Sequence, residues 1–188
     1  IEVVCQNLRP SIAHKFIFIC REEHLRAHQL EKVLEKIAPG NEIICVDKLT
    51  DGAACTVLLA RNMIDNQHPL MIANCDQFID IKIDDYLAAF DTKAFDGMIM
   101  TMRATDKRWS YVRLDHRRKV SELREKEVIS NEATVGIYNF SKGSDFVFAA
   151  NSMIAKNIRT NGEFYVAPVY NELISAGKKI AIFNIGEL

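Results

Sequence analysis

The residues best placed for chemistry stand where a short apolar run ends, at Asn74, Cys75 and Asp76. A carboxylate at the end of a buried strand is costly unless it is solvated, paired or bound to a cation. One or two carboxylates, together with substrate phosphates, are typical ligands of Mg²⁺. Asp76 is therefore a candidate ligand for Mg²⁺ or Mn²⁺, and an aspartate that caps the next turn would show the same local pattern.

A second candidate segment, Thr50-Asp51-Gly52-Ala53-Ala54, follows another apolar run and opens a predicted helix. Thr50 or Asp51 can cap that helix through its side chain. The small residues would let a ligand approach the backbone closely, and the start of a helix favours anions. The segment is not a P-loop, because the Gly-Lys-Ser/Thr ending is absent. Tight packing of a helix on a sheet would favour the same composition.

Three charged side chains suit a phosphorylated sugar. Lys126 could hold a phosphate, and Glu125 or Glu163 could hold sugar hydroxyls. Each is also typical of a solvated surface. His24 and His28 have the spacing of a zinc site on a helix, but no third ligand is evident, so we expect no zinc there.

Alternating strands and helices must position these segments. The elements predicted in the front half are the strands 15–20, 42–46, 69–74 and 96–103 and the helices 22–38, 52–65 and 83–90. This alternation is typical of βαβ units in a parallel sheet. Ligands bind beyond the carboxyl ends of such strands, which is where the candidate residues around Thr50 and Asp76 stand.

The second half of the chain has a different pattern. Its predicted elements are a hairpin of strands 111–114 and 119–123, a strand at 134–140, helices at 146–158 and 169–176, and a last strand at 179–184. We therefore expect an α/β chain with a Rossmann-like three-layer sandwich and a mostly parallel mixed sheet. One domain should cover residues 1–188.

Composition excludes several classes of protein. With 24 Lys and Arg against 25 Asp and Glu, the chain is not a general electrostatic binder of nucleic acid. The apolar runs are too short to cross a bilayer, and no signal peptide is evident, which favours the cytoplasm. The five cysteines are odd in number and lack a Cys-x-x-Cys pair, so we expect buried free thiols.

Together these segments resemble the sugar-phosphate nucleotidyltransferases. Residues 69–76 resemble the strand of that family that ends in a metal-binding aspartate, and residues 50–54 resemble the segment that meets the nucleotide base. Residues 120–126 resemble the segment whose final Glu-Lys contacts the sugar phosphate. Residues 133–140 resemble the strand that follows it, and residues 162–165 resemble the segment whose glutamate meets sugar hydroxyls. A closer likeness is to proteins of capsular polysaccharide clusters labelled family 2 glycosyltransferases, which share the nucleotide-diphospho-sugar transferase fold.

The resemblance implies a transferase that uses Mg²⁺ (or Mn²⁺) to move a nucleotidyl group from an NTP to a sugar phosphate in surface polysaccharide biosynthesis. It implies that Asp76 is a catalytic residue and metal ligand. The nucleotide-binding residues it implies are Thr50, Gly52, Ala53 and Asn74. The sugar- and phosphate-binding residues it implies are Glu125, Lys126, Gly136 and Glu163.

Two alternatives stay open. A glycosyltransferase of the same fold would take a nucleotide-sugar donor, although the usual Asp-x-Asp is missing beside Asp76. A truncated binding or assembly module would have no catalytic activity, and a homo-oligomer would cover any strand edge left exposed.

The sequence departs from the family pattern in ways that bear on activity. Cys75 stands where the family usually has glycine, and Glu127 stands where it usually has proline. The family begins with a strand and a Gly-x-Gly-x-Arg loop that cradles the triphosphate, and it continues past the last residues seen here. We therefore expect a core truncated at both ends, with weak or absent turnover from this chain alone.

Overall fold

The computed structural model describes residues 1–187, so Leu188, the last residue of the expected domain, lies outside the described residues. The helices are α1 (Glu2–Asn7), α2 (Glu22–Ala27), α3 (Leu30–Ile37), α4 (Ala53–Leu58), α5 (Arg61–Ile64), α6 (Ile83–Ala88), α7 (Gly143–Ala155) and α8 (Val169–Ser175). The strands are β1 (Ile17–Arg21), β2 (Glu42–Val46), β3 (Leu70–Ala73), β4 (Gly97–Arg103), β5 (Ser110–Leu114), β6 (Val120–Glu125), β7 (Glu132–Phe140) and β8 (Ile180–Glu187).

The central sheet is mixed, as predicted, but among the described residues four of its five strand pairings are antiparallel rather than parallel. Its strands follow the order β6-β5-β7-β4-β8, and β3 also pairs with β7. Strands β4 and β8 are parallel, and β7 is antiparallel to β3, β4 and β5. The hairpin predicted in the second half is the antiparallel pair β5–β6.

The sheet lies between two apolar layers because its central strands alternate their side chains between the two faces. On β4, Ile99 packs with helices α7 and α8, whereas Met98 and Met100 pack with α6 on the opposite face. On β7, Tyr138 and Ile137 divide between the same two layers. This arrangement confirms the three-layer α/β sandwich.

Strands β1 and β2 form a separate parallel pair, with Ile17 opposite Glu42 and Cys20 opposite Cys45. Within residues 1–187, no backbone ladder joins this pair to the six-stranded sheet. One face of the pair, which includes Ile19, packs on the same core as α7 and α8. The other face packs on the apolar stripe of α3.

Two of the predicted helices are each divided into two. The stretch 22–38 breaks at Gln29, whose φ of +46° lies in the left-handed region and interrupts the helical ladder. The stretch 52–65 divides after α4, where Leu59 and Ala60 donate to carbonyls three residues back instead of four.

The expectation of buried thiols is wrong for part of the set. Among the described cysteines, all of which are free, Cys5 is buried, while Cys45 and Cys75 are exposed. Cys45 lies on β2, which pairs with β1 alone among the described residues, and its exposure shows that an apolar sequence context does not by itself bury a side chain. Over residues 1–187, the helices are all too short or too polar to cross a membrane.

Candidate functional site

Asn74 and Gly136 come together where β3 ends. The backbone N–H of Asn74 donates a hydrogen bond to the Gly136 carbonyl at 3.1 Å. Gly136 has a φ of +78°, and a Cβ built there would lie 2.4 Å from Asn74 Nδ2. A glycine in β7 therefore makes the space that the Asn74 side chain fills.

Asp76 lies two residues beyond Asn74 and is exposed. No hydrogen bond or ion pair to its carboxylate is found within residues 1–187, and no group of three metal-binding side chains occurs in this described part. A single free carboxylate does not make an all-protein metal site. It fits Mg²⁺ that is held mainly by phosphate oxygens and water.

The predicted nucleotide segment is fixed to a distant part of the chain. Phe164 donates its N–H to the Asp51 carbonyl at 2.8 Å, and Ala54 donates its N–H to the Phe164 carbonyl at 2.9 Å. Gly52 has a φ of +118°, and a Cβ there would lie 2.6 Å from both the N and the O of Phe164. The close approach of the two backbones therefore requires glycine at position 52.

The side-chain cap expected for this helix is absent. Gly52 is the N-cap of α4, and neither Thr50 nor Asp51 makes the side-chain cap bond. The expectation fails because Thr50 Oγ1 is used elsewhere: it donates to the Gly52 carbonyl at 3.1 Å and lies 2.5 Å from Thr56 Oγ1. Thr50 therefore shapes the loop ahead of the helix, while Ala53 stays exposed.

Glu125 and Lys126 lie at the end of β6 with different surroundings. Burial raises the pKa of the Glu125 carboxyl, while the hydrogen bond from Ser110 and the charge of Lys126 oppose that shift. Lys126 is exposed, has a φ of +55°, and donates from Nζ to Tyr165 Oη at 2.9 Å. That hydrogen bond is the main reason that the pKa of Lys126 is raised.

Glu163 is brought near Lys126 by a tight turn. Thr160 and Glu163 exchange backbone hydrogen bonds of 3.0 Å in both directions. The two residues between them, Asn161 and Gly162, both have positive φ, which is typical of a type I′ turn. The charge of exposed Glu163 contributes to the raised pKa of Lys126, so these two predicted sugar- and phosphate-binding residues, called acceptor residues below, share one surface.

The structure therefore gathers most of the predicted residues into three contacts. One joins Asn74 to Gly136, a second joins the 50–54 segment to Phe164, and a third joins Lys126 to the 163–165 segment. Asp76 belongs to none of these three contacts. Two surface hollows, one beside Arg9, His14 and Pro39 and one beside Arg103, Asn131 and Glu187, contain none of the predicted residues.

Sequence reasoning did not identify Arg159, Tyr165 or Ser110 as site residues. Arg159 pairs with Asp51 across a long stretch of chain, and nothing local to either residue indicates the contact. Tyr165 lies within the segment that resembles the family, but its bond to Lys126 becomes visible only when β6 and the turn before Tyr165 are placed side by side.

Comparisons with known proteins agree on one family and fold. The family described as nucleotidyl transferase matches residues 1–178. A nucleoside-diphosphate-sugar pyrophosphorylase from Vibrio cholerae RC9 is 25% identical with a TM-score of 0.80, over 98% of this chain and 77% of that chain.

Two more distant structures share the fold alone. The inositol-1-phosphate CTP transferase from T. maritima is 15% identical with a TM-score of 0.65, over 92% of this chain and 66% of that chain. A UDP-glucose pyrophosphorylase complexed with UDP-glucose is 11% identical with a TM-score of 0.73, over 97% of this chain and 77% of that chain. No curated protein sequence matches the chain.

Proposed function

The chain belongs to the nucleotidyl transferase family, with the fold of sugar-nucleotide pyrophosphorylases, and from this premise we propose that it transfers a nucleotidyl group from a nucleoside triphosphate to a sugar phosphate. The product would be a nucleotide-sugar for surface polysaccharide biosynthesis in the cytoplasm. The observation that carries the proposal is the backbone contact between the 50–54 segment and Phe164. It puts the predicted nucleotide-binding residues beside the segment of the predicted acceptor residue Glu163.

The reaction requires two phosphorylated substrates to meet in line. An oxygen of the sugar phosphate attacks the α-phosphorus of the triphosphate, the bond to the β-phosphate oxygen breaks, and pyrophosphate leaves. Little covalent work falls to the protein, so positioning and charge neutralisation supply the rate.

The chain's own residues divide between the two substrates. Exposed Ala53 lets the nucleotide approach the backbone, and Gly52 packs that backbone against Phe164. Thr50 shapes their loop, and Asn74 fills the space above Gly136. The small residues supply close contact where larger side chains would block it.

On the acceptor side, Lys126 presents an ammonium to the sugar phosphate, while Glu125 and Glu163 present carboxylates to sugar hydroxyls. Gly136 contributes by leaving the space on β7 that the Asn74 side chain fills. Asp76 would hold Mg²⁺, which neutralises phosphate charge when bound.

Binding is the first test, because the sequence contains no Gly-x-Gly-x-Arg segment. Thermal unfolding would be followed with each of four nucleoside triphosphates, with and without Mg²⁺. At 100 times Kd, a ligand adds about 2.7 kcal/mol, which raises Tm by roughly 5–10 °C in a chain of this size. We expect one triphosphate to give such a shift with Mg²⁺, and Asp76→Ala to abolish it.

Asp80→Ala is the matched control, because Asp80 is an exposed aspartate in the same loop that the proposal does not use. It should keep the full shift. Pyrophosphate release would then be measured with glucose 1-phosphate as the sugar-phosphate probe. A shift with nucleotide-sugars only, without pyrophosphate chemistry, would favour the glycosyltransferase. No shift with any nucleotide would contradict both and favour the binding or assembly module.

A further inference from the structure

Arg159 joins two segments to which the proposed function assigns different substrates. Its guanidinium donates to Asp51 Oδ2 at 2.9 Å, to the Gly162 carbonyl at 2.8 Å and to Asn157 Oδ1 at 2.8 Å. The guanidinium carbon also lies 4.0 Å from the centre of the Phe164 ring. The planar guanidinium of Arg159 thus contacts Asp51 of the nucleotide segment, Gly162 in the turn before Glu163, and Phe164 directly after Glu163.

The ion pair by itself would not hold the segments together. The Asp51 side chain is 65% exposed and that of Arg159 is 32% exposed, and pairs of this kind contribute little on their own. The contact gains rigidity from the fixed fork of the guanidinium and from its stacking on the Phe164 ring. Backbone bonds of Phe164 to Asp51 and Ala54 run beside it.

We propose that Arg159 is a positioning residue that couples the nucleotide segment 50–54 to the acceptor segment 159–164. The inference rests on the proposed function and deepens it. A nucleotide that binds at exposed Ala53, beside the contact between Gly52 and Phe164, also fixes the turn that carries Glu163. The entropic cost of ordering that turn for the second substrate is then already met. By linkage, a sugar phosphate held at Glu163 favours the nucleotide by the same factor.

Hydrogen exchange of the unliganded chain tests the mechanical coupling. Arg159→Gln and Asp51→Asn should each speed exchange of the Ala54 and Phe164 amides together, by about three- to tenfold. Arg61→Gln is the matched control, because it removes another arginine–aspartate pair, the exposed Arg61–Asp65 pair of α5. Unchanged exchange at Ala54 in Arg159→Gln would overturn the proposal.

Calorimetry tests the coupling of substrates. Each of four nucleoside triphosphates would be titrated with Mg²⁺, with and without glucose 1-phosphate as the probe. In the natural sequence and in Arg61→Gln, the bound triphosphate should lower the Kd of the probe by about tenfold. In Arg159→Gln and Asp51→Asn that factor should fall below about threefold, and Arg159→Lys should recover part of it because it keeps the charge without the fork.

The outcomes separate this inference from the proposed function. If both probes bind and Arg159→Gln leaves the coupling factor unchanged, the positioning role is overturned while the proposed function stands. If neither probe binds the natural sequence while exchange still responds to Arg159→Gln, the proposed function is contradicted and the joining of the two segments by Arg159 is supported.

Discussion

Lys126 Nζ donates a hydrogen bond of 2.9 Å to Tyr165 Oη, which joins the end of β6 to the segment that carries Glu163. The ammonium lies 5.0 Å from the centre of the tyrosine ring, so the hydroxyl, rather than the ring face, is its nearest partner. The bond holds an exposed lysine with a positive φ in one place on the proposed acceptor surface.

Replacing that tyrosine should loosen Lys126 without removing its charge. In Tyr165→Phe we expect the pKa of Lys126 to fall toward its ordinary value, because the hydrogen bond is the main cause of the rise. NMR titration of the lysine side chains measures this. We also expect about threefold weaker binding of glucose 1-phosphate.

Tyr86→Phe is the control for this prediction. It removes a tyrosine hydroxyl that donates to the Met98 carbonyl at 3.1 Å in the core, away from the candidate site. It should leave both the pKa of Lys126 and the affinity unchanged. An unaltered lysine titration in Tyr165→Phe would show that the bond does not hold the ammonium in solution.

Gly136→Ala should destabilise the fold through two effects. A Cβ there would lie 2.4 Å from Asn74 Nδ2, and the φ of +78° is unfavourable for alanine. Backbone strain and overpacking together should cost roughly 2–4 kcal/mol. Gly177→Ala is the matched control, because Gly177 has a φ of +79° but no atom within 4 Å of a built Cβ.

Chemical denaturation measures both glycine variants. Gly177→Ala should lower the free energy of unfolding by about 1–2 kcal/mol, because it introduces backbone strain without a steric clash. If the two variants lost the same free energy of unfolding, the contact between Gly136 and the Asn74 side chain would not contribute.

Glu125→Gln should stabilise the protein in a pH-dependent way. Burial raises the pKa of the Glu125 carboxyl above its unfolded value, so the folded state holds this proton more tightly than the unfolded chain does. Stability therefore falls as pH rises from the ordinary carboxyl pKa through the raised one. Glutamine should remove the free-energy cost of burying an ionised carboxylate, while its side-chain oxygen still accepts the hydrogen bond from Ser110.

Thermal unfolding at several pH values checks the sign of this effect. The Tm advantage of Glu125→Gln should be larger at pH 7 than at pH 4, where Glu125 is mostly protonated in both the folded and the unfolded state. Glu122→Gln serves for comparison, since Glu122 lies on the same strand but forms ion pairs with Arg113 and Arg124. An advantage for Glu125→Gln that did not grow with pH would contradict the buried-carboxyl interpretation.

Glu172 should make the fold sensitive to acid. Burial alone would raise the pKa of this carboxyl, but hydrogen bonds from Lys156 and Ser152 at 2.6 and 2.5 Å outweigh burial and lower it. A lowered carboxyl pKa contributes stability above the unfolded pKa, and this is lost as pH falls through the folded value.

Lys156→Met should remove the ammonium partner while keeping a stem of similar size, at a cost of about 1–2 kcal/mol at pH 7. The difference from the natural sequence should shrink below pH 4. Denaturation by urea at pH 7 and at pH 3.5 measures both values, and a constant difference would exclude the ionised carboxylate as its source.

Local pattern was sufficient for most of the elements. Strand β2 lies at the predicted residues 42–46, and the predicted hairpin is the β5–β6 pair. These predictions succeed because apolar alternation and turn residues are local properties of the chain. The α/β sandwich follows from the order of the elements and is confirmed by the structure.

Breaks inside helices and the exposure of thiols were decided by tertiary packing. Gln29 takes a left-handed conformation that no local signal requires, and exposed Cys45 has the same apolar context that a buried cysteine would have. Each outcome depends on which neighbouring element covers the residue.

The sequence by itself determined which residue types stand after each strand, including Asp76, Lys126 and the small residues around Gly52. Only the tertiary structure decided that Gly52 touches the Phe164 backbone and that Arg159 reaches Asp51. The physical reason is that strand and helix periodicity act over a few residues. Contacts between distant loops are instead set by how the sheet and helices pack, which brings together segments that no local pattern relates.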